Sequence, residues 1–109
     1  MAFVKKWMAE LESAERARLA GNEGRARVCA RRAAGRSAQA FLTRHQVPAR
    51  GANFYNALLD LAQSPRLPPD LETALAHLTL RVGDDFSLPP GVDLIADARL
   101  LCEHLEEIP

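Results

Sequence analysis

Histidine and arginine carry most of the chemistry available to this sequence. His45, His77 and His104 are the three side chains whose ordinary titration lies near neutrality, which makes them the candidates for moving a proton. Eight arginines fall between residues 16 and 44, and a planar guanidinium holds phosphate or carboxylate through parallel hydrogen bonds. His45 directly follows Arg44, so an imidazole acting as general base on a ribose hydroxyl would have a phosphate-binding cation beside it. The bland role for His45 is a residue favoured at a helix C-terminus by the dipole. For His77 it is partial burial with a backbone or solvent partner.

Other reaction types lack their residues. Cys29 and Cys102 have no CxxC spacing and no cluster of histidines or carboxylates nearby, so the expectation is a reduced, cytoplasmic chain without a metal site or cofactor. Ser13, Ser37, Ser64 and Ser87 lack a nucleophile-elbow context. Asp84 and Asp85 read as a solvated loop pair. The segment Gly21-Asn22-Glu23-Gly24 has no Lys-Ser/Thr pair after it, which makes it a turn rather than a phosphate loop. The amides opening the helix after it, beside Arg25 and Arg27, have the make-up of a weak anion site. No stretch approaches the roughly 20 apolar residues of a membrane span, and the N-terminal residues form no signal-peptide core.

Charge is strongly segregated beneath a net charge of zero. Residues 1–50 hold eleven Lys+Arg against four Asp+Glu, a formal +7, and residues 51–109 hold three against ten, a formal −7. Such a pattern provides a basic surface for phosphates, or attraction between two halves or two protomers. Only six aromatic residues, 6% of the chain, leave few platforms for stacking single-stranded bases.

The spacing predicts five helices and no strand within a single domain over 1–109. Trp7, Met8, Leu11 and Ala14 recur at helical intervals up to about Ala20, where Gly21 stops the helix. Asn22 is the natural N-cap of the second helix. On that helix Ala26, Ala30, Ala33, Ala34, Ser37, Ala40 and Phe41 share a face of little bulk, suited to close packing at the centre of the fold. Arg25, Arg32 and Arg36 fall on one flank of it, Arg27 and Arg31 on another, where their methylenes would border the core. Phe54, Leu58, Leu61 and Ala62 mark a short third helix. Pro68-Pro69-Asp70 opens a fourth, carrying Leu71, Ala74, Leu75, Leu78 and Val82 and closed by Gly83. Leu94, Ile95, Ala98, Leu101, Cys102, Leu105 and Ile108 line a fifth, acidic and amphipathic. The expected fold is an all-α five-helix bundle built on two long antiparallel helices, without a β-sheet.

This arrangement resembles the HEPN superfamily. The resemblance rests on Trp7 to Ala20 followed by the Gly21–Gly24 turn, on the small-residue helix Ala26 to Phe41, and on the closing pattern Leu94-Ile95-Ala96-Asp97-Ala98-Arg99-Leu100-Leu101. It implies a helical bundle that dimerises, either as a ribonuclease with paired Arg and His in a shared cleft or as a nucleotide-binding partner protein. The ribonuclease motif of that family is an Arg followed by a His after four to six residues, at the start of a helix facing the dimer cleft. Here that spacing occurs at Arg99 and His104, inside the last helix, where positions five apart point about 140° from each other. After Pro48, where the motif would stand, the chain has Arg50, Asn53, Tyr55 and Asn56 but no histidine.

The reading that follows is a noncatalytic HEPN-like module, homodimeric, that binds a protein partner or a nucleotide-like anion through Arg25, Arg32, Arg36 and Arg44. The alternative is a HEPN-type ribonuclease or toxin–antitoxin component acting on RNA as a dimer, with His45, Arg99 and His104 as its catalytic candidates. A purely electrostatic RNA or DNA binder is the third reading.

Overall fold

A computed structural model describes residues 6–47, 53–63, 67–80 and 91–108. Five helices account for most of these residues: α1 (Lys6–Leu19), α2 (Glu23–Arg44), α3 (Phe54–Ala62), α4 (Pro69–Leu78) and α5 (Leu94–Glu107). No strand occurs among the described residues. The all-α bundle expected from the periodicity is therefore the fold observed.

Local chemistry sets the helix ends. Gly21, at φ +79°, takes the left-handed turn that ends α1, with its amide on the Arg18 carbonyl (3.0 Å) and the Asn22 amide on that of Ala17 (2.8 Å). This paired closure needs a residue free of Cβ strain at that point. Asn22 then opens α2, its side-chain oxygen accepting from the Arg25 amide at 3.0 Å. Asn53 caps α3 through the Tyr55 amide, and Asp93 caps α5 through the amides of Ile95 and Ala96. Pro69 begins α4 after Pro68, where a missing N–H costs nothing.

α2 is the central helix, in contact with α1, α3 and α5, while α4 packs on α5 and α3. The short turn sets α1 and α2 antiparallel, so Arg18 meets Glu23 at one end and Glu10 meets Arg36 further along. Because α2 is covered on several sides, its burial is not confined to the single predicted face. Cys29, Gly35, Ala38 and Leu42 are buried together with Ala26, Ala30, Ala33, Ala34 and Ser37, whereas Ala40 is exposed. Met8 and Ala62, placed on apolar stripes by their spacing, are exposed, whereas Ala17 and Ala57 are buried. The predicted stripes of α4 and α5 lie in the core, with Leu71, Leu75, Leu78, Leu94, Leu101 and Leu105 all nearly inaccessible. Ile108 packs against that core and is half-buried.

α4 ends at Leu78, short of the expected stop at Gly83. The Thr79 hydroxyl bonds back to the Leu75 carbonyl at 2.8 Å, a local competitor to continued helix. The Arg31 guanidinium takes the carbonyls of Leu78 and Leu80 that a further turn would have used. Val82, Gly83, Asp84, Asp85 and Arg50 lie outside the described residues, as do Ser64 and Ser87.

Gly35 fixes the approach of α3. A Cβ built there would stand 2.3 Å from Phe54 Cβ and 2.7 Å from Phe54 Cγ, and an atom so close to the α3 backbone cannot be moved by a rotamer change. Glycine inside a helix ordinarily costs about 1 kcal/mol relative to alanine, so its presence here reflects the space. Gly35→Ala is expected to destabilise the fold by about 1–3 kcal/mol through overpacking. Gly24→Ala, where the nearest atom is 3.9 Å away, should instead stabilise it by up to about 1 kcal/mol. Urea unfolding followed by circular dichroism measures both; two changes of the same sign would refute the packing argument.

Candidate functional site

The arginines of α2 spread along and around the helix. Arg32 and Arg36 converge on one carboxylate, Glu10 of α1, at 3.6 and 3.2 Å, and Arg36 also lies over the Phe54 ring, 5.3 Å from its centroid. Arg25 is exposed, and among the described residues its guanidinium takes no partner. Arg44 caps the end of α5, donating to the Leu105 carbonyl at 2.9 Å and approaching that of Ile108 at 3.5 Å, while its charge rests 5.8 Å from the centre of the Phe41 ring. Nineteen residues of helix separate Arg25 from Arg44, about 28 Å. Of the four predicted anion-binding arginines, the structure thus brings together Arg32 and Arg36 and ties that pair to an acid of its own.

The amides opening α2 are likewise supplied from within. Asn22 accepts from one, and Glu23 places a carboxylate on the first turn, held by two bonds from Arg18 at 2.9 Å. Arg18 keeps the Glu23 carboxyl below its ordinary range. It also reaches Asp93 at 3.0 Å. Burial pushes the Asp93 carboxyl up, but the α5 amides and Arg18 together hold it below its ordinary range. One guanidinium therefore fastens the corner between α1, α2 and the start of α5.

The histidines stand apart from this cluster and from one another. His45 caps the C-terminus of α2 and lies against Phe41, ring centroids 4.2 Å apart. Arg99 is engaged by Glu15 of α1. Among the described residues no hydrogen bond, ion pair or ring contact joins Arg99, His104 and His45. His77 has a partner that the one-dimensional pattern does not reveal: its Nδ1 lies 2.9 Å from Asp97 Oδ2, joining α4 to α5. Burial, the largest influence, pushes the Asp97 carboxyl above its ordinary value, opposed by the bond from His77. Asp97, off the apolar stripe of α5, is half-buried. The two residues are twenty apart in sequence, on different helices, and only tertiary packing makes them neighbours.

An open concavity lies elsewhere, between the second half of α1 and the start of α5, with a volume of about 630 Å³. Ile95, Ala96, Leu19 and Leu100 form its apolar surface, and Arg18, Asp93, Glu15, Arg99 and Glu103 its rim. Leu19 is 88% exposed and Leu100 43%. The rim is already internally bridged through Arg18–Asp93 and Arg99–Glu15, which holds charged side chains in place around a greasy floor. Helical spacing puts Met8, also exposed, on the same stripe of α1 as Glu12, Glu15 and Leu19, and lines up Ala96, Leu100, Glu103 and Glu107 on α5. Sequence reasoning passed over this surface because Leu19 stands at a helix end, and Leu100 stands one position before the core residue Leu101. The available signal was the presence of leucines outside each helix's own apolar stripe.

No group of three potential metal ligands occurs among the described residues, and no helix there is long and apolar enough to cross a membrane. No family model, curated protein or solved structure matches the chain.

The cysteines belong to the core. Cys102 Sγ donates to the Ala33 carbonyl at 3.5 Å, and burial pushes its thiol up to about 12. Cys29 is 2% exposed. Burial shields both sulfurs from reagent, and Cys102 in addition withholds the reactive thiolate, so neither cysteine should react with a thiol reagent such as DTNB at pH 8 in the folded protein. Both should react at once in denaturant. Prompt labelling of either under native conditions would contradict this packing.

Proposed function

We propose that this chain is a noncatalytic protein-interaction module of HEPN-like build that pairs with a second copy of itself through the α1–α5 face. The observation that carries the proposal is the groove lined by two solvent-exposed leucines, Leu19 and Leu100, together with the Arg18–Asp93 and Arg99–Glu15 ion pairs. Among the described residues, three of the five large exposed apolar side chains, Met8, Leu19 and Leu100, belong to the two helices that form this face. Such clustering marks interaction surfaces on small soluble domains, whereas scattered exposed leucines need no explanation.

A second copy is the simplest occupant because the face is self-complementary. Antiparallel apposition of two α5 helices sets Leu100 against Leu100 and brings Arg99 of each copy close to Glu103 of the other, as a two-fold interface requires. A 109-residue bundle whose central helix contributes mostly alanines has a small interior, and burying Leu19 and Leu100 against a mate enlarges it. The resemblance to HEPN bundles, many of which dimerise, supports the same reading. Arg32, Arg36 and Arg44, with their partners inside the protomer, support an interaction role over an open phosphate-binding track.

Light scattering across the micromolar range tests the proposal. The wild type is expected to be dimeric, and Leu19→Asp or Leu100→Asp, at positions where folding does not need the side chain, should yield helical monomers with at least about a tenfold weaker association. Val47→Asp, an exposed apolar residue outside this face, should leave the dimer intact. A wild-type monomer at the highest concentration, or equal effects of all three substitutions, rejects the proposed interface.

A further inference from the structure

A second concavity, independent of the α1–α5 face, lies where α2, α3 and the end of α4 meet. It encloses about 240 Å³, below the roughly 300–1,000 Å³ of sites for drug-sized ligands, and so suits a molecule with a single ring. Leu58 and Leu78 form its apolar base and the rings of Phe54 and Tyr55 one wall. Arg31 and Arg32 enter from α2, and Val28, 51% exposed, stands on the lining at solvent level.

Arg31 differs from most arginines around it. Arg18, Arg32, Arg36 and Arg99 each face a carboxylate. Arg31 is partly buried, and among the described residues its partners are two backbone carbonyls, Leu78 at 3.3 Å from Nε and Leu80 at 3.4 Å from Nη2. Both bonds are long for charged donors, which ordinarily come within about 2.9 Å. Burial pulls the guanidinium below its ordinary value, and the neighbouring Arg27 adds repulsion. A partly desolvated cation whose partners among the described residues are carbonyls alone gains from an anion that meets it. Arg32, bound to Glu10 only at 3.6 Å, is a second cation on the same lining. Flat aromatic walls together with two guanidinium groups match a flat organic acid, whose ring lies among Phe54, Tyr55 and Leu58 while its anionic group meets the arginines.

We propose that the α2–α3–α4 pocket is a binding site for a small organic anion, a carboxylate or phosphate monoester carried on a single flat ring. The site takes its attraction for negative charge from Arg31 first and Arg32 second, and its shape selectivity from Phe54, Tyr55 and Leu58. Arg31 thereby has two roles, capping α4 and receiving the ligand, so occupancy would hold the end of α4 against α2.

The test is an amide-resolved NMR titration of the full chain with benzoate, phenyl phosphate, inorganic phosphate and benzyl alcohol at low ionic strength. The expected result is saturable millimolar binding of benzoate or phenyl phosphate, with shifts centred on residues 28, 31, 54 and 55. The better of the two identifies the anionic group, and inorganic phosphate and benzyl alcohol should bind at least about tenfold more weakly. Val28→Glu adds an acid at an exposed position and should weaken anion binding about tenfold without unfolding the bundle, whereas Val28→Lys should not weaken it. Arg31→Gln should abolish binding, and the Val28 pair keeps the test decisive if that variant folds poorly. Absence of saturable shifts for both ring anions overturns the proposal, as does benzyl alcohol binding as well as benzoate or insensitivity to Val28→Glu.

Discussion

The structure depends on how little side chain α2 carries where other helices reach it. Ala26, Ala30, Ala33, Ala34 and Ala38 are all fully inaccessible, and at Gly35 there is no space even for a methyl group beneath Phe54. Alanine loses no rotamer entropy on burial and is the best helix former, so α2 can be long and central without contributing bulk. The volume comes from its neighbours: the largest fully buried side chains, including Leu11, Leu58, Leu61, Leu101 and Leu105, reach in from α1, α3 and α5. A thin helix surrounded by leucine-bearing ones has close backbone approach as its organising constraint.

That constraint also decides what the arginines do. With other helices close against several sides of α2, its long side chains emerge in the seams between helices, where carbonyl ends and acids of neighbouring helices lie within reach. Arg31 takes the end of α4, Arg44 the end of α5, and Arg32 and Arg36 share Glu10. Cations at helix C-termini complement the dipole and the unsatisfied carbonyls. Exposed pairs such as Arg99–Glu15 contribute little to stability, but they hold the side chains bordering the grooves in position. Between the +7 and −7 halves the pairs Arg18–Asp93 and Arg99–Glu15 cross, and within the basic half Arg32 and Arg36 use Glu10 and Arg18 uses Glu23.

Elements governed by local rules were legible in the sequence. Asn22 as a cap, Gly21 as a stop, Pro69 at a helix start and the leucine stripes of α4 and α5 each depend on residues within a turn or two, and each stands where the spacing put it. The errors on α2 share one cause. A helical wheel assigns one buried face, and α2 has several, which is why Cys29, Gly35 and Ala38 were missed and Ala40 was misplaced. The His77–Asp97 pair and the double use of Glu10 were invisible for a related reason, since each needs two helices brought together. Where α4 stops was likewise decided from outside, by Arg31 on α2, and no property of the α4 sequence beyond Thr79 signals it.

The two concavities differ in their electrostatic state, and that difference separates what each can recognise. Around the α1–α5 groove acid and base already meet, so a ligand gains little by bringing a single charge and much by covering Leu19 and Leu100. Desolvating a bridged rim costs less than desolvating separate ions, since each charge keeps a partner when water leaves. That favours a broad apolar surface with mixed charges at its edge, which is what a second copy presents. In the α2–α3–α4 pocket the volume is smaller, and among the described residues Arg31 is held by carbonyl dipoles in place of a carboxylate. There the larger gain comes from a compact negative group, and the rings of Phe54 and Tyr55 determine what that group can be attached to. Both surfaces follow from the same thin helix, because close packing around α2 leaves open seams at its flanks and places arginines in them.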